Sequence, residues 1–233
     1  MQNHRDHLHI QKQIVDSKYF NKKLAIIAGK GSLPGTLKFA WESSGGSVFI
    51  LAFNNITPPS ITEGVSHKWV GLGKISSAIK ALHNSKCEYL VLAGSIRKPN
   101  FLSLSADLRG ALLIKRLLTA KGDDAILKII ISELEQEGFQ IIGVKDIVKD
   151  LTTPTGLLTE NPPSKTDWID INVAGLEAIS LGDKDIGQAA ISRDGKIIGI
   201  EDDRGTDSLI LRCALMGKEP SGVLVKRLKP NQD

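Results

Sequence analysis

The chain has 233 residues, 41% of them hydrophobic and 24% charged, which is the balance of an ordinary globular protein of one large or two small domains. Its formal charge of +4 is mild and spread along the chain; that suits phosphate-bearing ligands or an anionic membrane surface and does not call for nucleic acid. Cys87 and Cys213 are too few for a disulfide framework and read as buried thiols of a reducing compartment, and no run approaches the 18 apolar residues of a membrane-spanning helix. Met1–Lys23 is polar and lacks a signal-peptide core, so residues 1–21 are expected to be a disordered arm, with His4, His7 and His9 solvated on it.

Leu24–Ala28 is a short continuous apolar run, as expected of a parallel strand covered on both faces. It ends at Gly29-Lys30-Gly31, and a helix is predicted from Leu33 to Trp41, with Pro34 in its first turn. Strand, glycine turn and helix N-terminus form an anion-binding device, which makes Gly29, Gly31 and Ser32 candidate phosphate contacts. A tight turn with no ligand explains the same letters. A dinucleotide fingerprint is disfavoured, because the third glycine position holds Pro34 and the next strand, Ser47–Phe53, runs into Asn54-Asn55 rather than an acid.

A helix over Ser76–His83 follows, then a buried strand Glu88–Ala93 ending at Gly94-Ser95-Ile96-Arg97-Lys98. Gly94 and Ile96 thus lie just past a strand's carboxyl end, where open α/β sheets bind ligands. Helices are predicted over Leu108–Thr119 and Ala125–Gln136, separated by Lys121-Gly122-Asp123-Asp124, where a cation beside two carboxylates suits a phosphate–Mg²⁺ arrangement. Both aspartates can equally serve as a cap and a first-turn acid. Gln140–Val148 is expected to close, as a strand, a Rossmann-like parallel-sheet domain spanning residues 22–150.

Thr152–Ser164, rich in Thr, Pro, Gly and Asn, sits in a linker over residues 151–165. Residues 166–233 then form a smaller α/β domain. It comprises a helix Asp167–Leu181, strands Gln188–Ser192 and Lys196–Glu201 about an Asp194-Gly195 hairpin, a helix Ser208–Met216 capped by Thr206 or Asp207, and a strand Val223–Leu228.

Several short motifs follow one another along the chain. They are Ile27-Ala28-Gly29…Gly31-Ser32-Leu33-Pro34, Gly71-Leu72-Gly73-Lys74-Ile75, Ala93-Gly94…Arg97-Lys98-Pro99, Lys121-Gly122-Asp123-Asp124-Ala125, Asp185-Ile186-Gly187-Gln188-Ala189-Ala190 and Gly205-Thr206-Asp207. In this order and spacing the chain resembles the I-type UDP-2,3-diacylglucosamine pyrophosphatases of lipid A biosynthesis. The resemblance implies a Mg²⁺-dependent hydrolase giving UMP and 2,3-diacylglucosamine 1-phosphate (lipid X). It also implies two domains with the lipid-sugar between them, a homodimer, and work in the cytoplasm, peripherally at the inner membrane. Two departures stand out. Glu201-Asp202-Asp203-Arg204 rearranges the charges before Gly205, and the family continues past the counterpart of Lys229-Pro230 into a segment whose aspartate is expected to be catalytic. This chain therefore reads as C-terminally truncated, its second domain incomplete and its activity expected to be poor.

On that resemblance, Asp123, Asp124 and Asp207 are the candidate catalytic and Mg²⁺-holding carboxylates. Lys121, Gly122, Gln188, Ala190 and Thr206 join the candidate substrate contacts. A competing reading is a module that binds nucleotide-sugar or lipid X without turnover; a third, a nicotinamide oxidoreductase, has only the Gly29/Gly31 turn in its favour.

Overall fold

The computed structural model describes residue 19 and residues 21–97, 99–120, 122–151, 153–216 and 222–228, with backbone alone at 102, 123 and 150. These residues divide into two compact units, one running to Thr119 and including Lys128–Thr153, the other formed by Ala120–Leu127 and the chain from Pro154. The α/β class is as predicted, with a larger parallel sheet and a smaller second sheet.

The first unit holds β1 (Lys23–Ala28), β2 (Ser47–Phe53), β3 (Ser66–Val70), β4 (Tyr89–Ala93) and β5 (Gln140–Ile141), all parallel in the order β3-β2-β1-β4-β5. That order is one arm and the start of the other of a doubly wound sheet, with its switch point between β1 and β4. The faces of the sheet separate by residue parity. Leu24, Ile26 and Ala28 pack with Leu37 and Trp41 of α1 (Leu33–Ser43) and with Ile147 of α5 (Val144–Ile147). Ala25 and Ile27 pack instead with Ala78 and Leu82 of α2 (Ile75–Ser85) and with Leu134 of α4 (Asp123–Gln136). Covered on both sides, β1 has no reason to alternate polar and apolar residues.

The structure corrects several expectations. The arm is held where it is described: Tyr19 is buried against Trp41 and Tyr89, with ring centroids 5.6 and 4.8 Å away. Residues 1–18, with the three histidines, lie outside the described residues. Strand β3 was not predicted, since Ser66-His67-Lys68 is the exposed, polar start of an edge strand. Gln140–Val148 is not one strand. Its pairing stops after Ile141, and Asp146 turns its carboxylate back on the Gly143 N–H at 2.8 Å, starting the short α5.

Asp107 joins two helices. It caps α3 (Leu108–Leu117) by accepting the Gly110 N–H at 2.8 Å, and its second oxygen takes the Ser76 N–H in the first turn of α2 at 2.9 Å. Burial pushes its carboxyl upward, but the N–H bonds together outweigh that and hold it below its ordinary value. Asp107→Ala is expected to cost about 2 kcal/mol, roughly one for each lost cap. Urea unfolding checks this, and a loss under about 0.5 kcal/mol would show that water replaces both bonds.

In the second unit β6 (Ala189–Arg193) lies between β7 (Lys196–Ile200) and β8 (Val223–Lys226), antiparallel to both. Ala174 and Leu181 of α6 (Lys165–Asp183) pack on one face of this sheet with Ala190 and Val225, while Leu209 and Cys213 of α7 (Thr206–Ala214) pack on the other with Ala189 and Ile191. Asp194 and Gly195 both have positive φ, 52° and 72°, as the predicted Asp-Gly hairpin requires. Asp170 of α6 accepts both their N–H groups and, through its backbone carbonyl, the buried Ser192 hydroxyl.

Candidate active site

The predicted phosphate turn lies at the switch point, where β1 and β4 end side by side. Gly29 donates to the Ala93 carbonyl at 2.8 Å, and Lys30 and Ser95 exchange two backbone bonds of 2.8 and 3.0 Å. A Cβ on Gly29 would meet the Ser95 carbonyl oxygen at 2.7 Å, and one on Gly94 the Lys30 carbonyl oxygen at 2.5 Å. These two glycines therefore make room for each other's backbone, and the N–H groups of Gly29, Lys30 and Ser95 are already used. What remains for an anion starts at Gly31 and Ser32, both exposed, where α1 begins with no side-chain cap. Ile96 stands exposed beyond the crossing. Thr57, buried behind the turn, braces it by accepting the Phe53 N–H at 2.9 Å and donating to the Ala28 carbonyl at 2.5 Å.

The second unit carries the other candidates. Lys121 lies outside the described residues, as does the Asp123 side chain. Gly122 has φ +83°, and a Cβ there would overlap the carboxylate of Asp185, so this turn and Asp185 are in direct contact. Asp124 lies in the first turn of α4, two residues beyond Gly122. Asp185 is itself left-handed, at φ 53°, on the loop that leads from α6 to Gln188.

The same loop reaches a second cluster. Glu201, buried just past β7, accepts the Gln188 backbone N–H at 2.8 Å and also the Thr206 hydroxyl. Thr206 in turn accepts from Lys226 Nζ at 2.8 Å. Helix α7 starts earlier than predicted, at Thr206, with Gly205 as its cap, so Thr206 turns its hydroxyl to Glu201 instead of capping. Asp207 is an exposed first-turn acid of α7. Ala190 is fully buried in the sheet and offers nothing to a ligand. Glu201 appeared in the sequence only as a departure, and Lys226 not at all. The signal for Glu201 was a carboxylate closing an apolar strand five residues before Thr206.

The charges around Glu201 settle among themselves. Arg204 binds Asp202 at 2.6 Å, and Arg212 reaches the same carboxylate at 3.2 Å. Bonds from the Arg204 side chain hold the Asp202 carboxyl down at about 2, against an ordinary 3.8. A lowered folded-state value means that the pairing stabilises the fold fully above about pH 4 and that this is lost as the pH falls toward 2. Arg204→Gln is expected to move the Asp202 midpoint upward in a carboxyl-carbon NMR titration; an unmoved midpoint would assign the depression to another group.

Among the described residues, no group of three or more His, Cys, Asp or Glu side chains is arranged to hold a metal ion, so Asp124 and Asp207 do not form a protein cage. Nor is any described helix long and apolar enough to cross a membrane.

One unit carries a glycine turn at the switch point of its parallel sheet, and the other carries carboxylates, a hydroxyl and a lysine on neighbouring loops, which together describe a two-domain α/β protein. Residues 23–151 match the LpxI N-terminal domain and residues 154–233 the LpxI C-terminal domain. The UDP-2,3-diacylglucosamine pyrophosphatase LpxI of Caulobacter vibrioides is 33% identical over 221 residues, 91% of this chain and 79% of that protein. The chain belongs to the LpxI family.

Solved structures resemble it only distantly. WbmG of Bordetella bronchiseptica, in complex with NAD, has a TM-score of 0.34 at 13% identity, covering 54% of this chain and 37% of its own. N5-carboxyaminoimidazole synthetase of Staphylococcus aureus, complexed with ADP, has 0.31 at 12%, covering 90% of this chain and 42% of its own. The chain thus spans less than half of either structure, and at these scores neither bears on its chemistry.

Proposed function

We propose that this chain hydrolyses the pyrophosphate of UDP-2,3-diacylglucosamine to UMP and 2,3-diacylglucosamine 1-phosphate, a step of lipid A biosynthesis. The observation that carries this is 33% identity to LpxI across 91% of the chain, with both family domains matched. In the reaction a water oxygen bonds to one phosphorus, the bridging P–O bond breaks, and two phosphate monoesters leave. The exposed N–H groups at Gly31 and Ser32, at the start of α1, suit a phosphate oxygen and add the positive end of the helix dipole.

The carboxylates at the Gly122 turn carry the polar chemistry. Asp124 and Asp185, with Asp123 next in sequence, are hard oxygen donors of the kind that suits Mg²⁺, which takes one or two carboxylates and leaves its other positions to water and substrate phosphates. That donor set fits the ion without a three-carboxylate cage. When bound, Mg²⁺ neutralises charge on the pyrophosphate. A carboxylate of the same turn orients the attacking water and accepts its proton.

The substrate's two acyl chains lead the protein to work peripherally at a membrane surface, and the two free thiols suit the cytoplasm. Leu211, Leu215 and Met216, exposed on and just after α7, support a homodimer. Phosphorus NMR of purified chain with substrate and Mg²⁺ tests the reading. The anhydride signals should give way to two monoester signals, and EDTA should stop the conversion. Anhydride signals that persist would contradict the assignment.

A further inference from the structure

The Glu201–Thr206–Lys226 network takes no part in the chemistry above. Glu201 is only 6% exposed, and both its oxygens are occupied, one by the Gln188 N–H and the other by the Thr206 hydroxyl. A hydroxyl has one proton and two lone pairs. With its proton committed to Glu201, the Thr206 oxygen acts only as an acceptor on its other side, and there Lys226 donates to it. An ammonium has three N–H donors, so two remain. Lys226 is exposed on β8 and, among the described residues, is paired with no carboxylate.

A lysine that only braced β8 against the Glu201 loop would gain most by meeting the carboxylate directly, because charge-assisted bonds are the strong ones. Here a neutral hydroxyl stands between them. The arrangement aims the ammonium while leaving its charge and two donors available, which is what an anion site needs.

We infer that Lys226 is a phosphate-holding residue of the active site, with Thr206 and Glu201 as its positioning residues. Glu201 sets the direction of the Thr206 hydroxyl, and that hydroxyl sets the place of the ammonium. The identity of the ligand, a pyrophosphate or its monoester product, rests on the proposed function; the presence of an anion site does not.

Titration calorimetry with inorganic pyrophosphate and with UMP, run beside kcat and KM for UDP-2,3-diacylglucosamine, tests the inference. Lys226→Met should weaken pyrophosphate binding at least about tenfold and lower kcat/KM by roughly 100-fold, the scale of one lost preorganised donor, with Tm nearly unchanged. Lys226→Arg should recover most of the binding, since the charge is kept. Thr206→Ser should behave as wild type and Thr206→Val should share the loss, a contrast that the removal of packing alone would not produce. Lys226→Met binding pyrophosphate as tightly as wild type would overturn the inference, as would a wild-type chain that binds neither anion. Wild-type chain that binds pyrophosphate through Lys226 yet leaves UDP-2,3-diacylglucosamine intact would uphold this site and contradict the assigned reaction.

Discussion

Gly94→Ala is expected to destabilise the first unit by about 3 kcal/mol or more, a large effect for a single added methyl group. Gly94 has φ +87°, which costs an L residue about 1–2 kcal/mol by itself. The added Cβ would lie 2.5 Å from the Lys30 carbonyl oxygen and 2.9 Å from the Gly29 carbonyl carbon. Both obstacles are backbone, and the Lys30–Ser95 pair is bonded in both directions, so neither side can yield without losing two hydrogen bonds. Overpacking of that kind adds about 1–3 kcal/mol. At about 2–4 °C for each kcal/mol in a domain of this size, Tm should fall by roughly 10 °C. A variant melting within about 2 °C of wild type would show that the crossing of β1 and β4 is looser than its geometry.

Asp124→Asn and Asp185→Asn should each lower turnover by roughly 100-fold or more, with stability changed by about 1 kcal/mol at most. The link between them is Gly122. Its missing side chain is what admits the Asp185 carboxylate to the turn before α4. Gly122→Ala should therefore expel Asp185 and reproduce the loss of Asp185→Asn, and combining the two should add little, because both remove the same placement. Asp207→Asn should do less. That residue is exposed in the first turn of α7, and the loss there is mainly a helix-dipole contact of about 0.3–1 kcal/mol. Rates and melting temperatures measured on the same preparations separate the cases. If Asp185→Asn turns over as wild type while Asp207→Asn fails, the chemistry belongs beside α7 instead.

Much of the architecture was legible because burial on both faces leaves a plain mark. The Leu24–Ala28 and Ser47–Phe53 runs could only be central strands, and Asp194-Gly195 could hardly be anything but a hairpin turn. Legibility faded at the sheet edges. Ser66–Val70 is polar where it meets solvent, and the segment after Gln140 was undone by one cap at Gly143. The motifs drew attention to particular loops, yet the roles of Gly29 and Gly94 depend on a backbone crossing between residues 65 positions apart, which no local pattern encodes. Ala190 shared a motif with Gln188 and is still buried, since β6 begins only at Ala189 and is covered by α6 on one face and by α7 on the other. Glu201 and Lys226 escaped for a related reason. Each gains its meaning only through Thr206, across pairing that the hairpin and β8 create.

The most direct test is turnover of UDP-2,3-diacylglucosamine by the purified chain, with Mg²⁺, in water enriched in heavy oxygen and with the products weighed by mass spectrometry. UMP and 2,3-diacylglucosamine 1-phosphate should appear in equal amounts, with one solvent oxygen incorporated per turnover and the conversion lost in Asp124→Asn. Intact substrate, or products carrying no solvent oxygen, would contradict hydrolysis of the pyrophosphate by this chain.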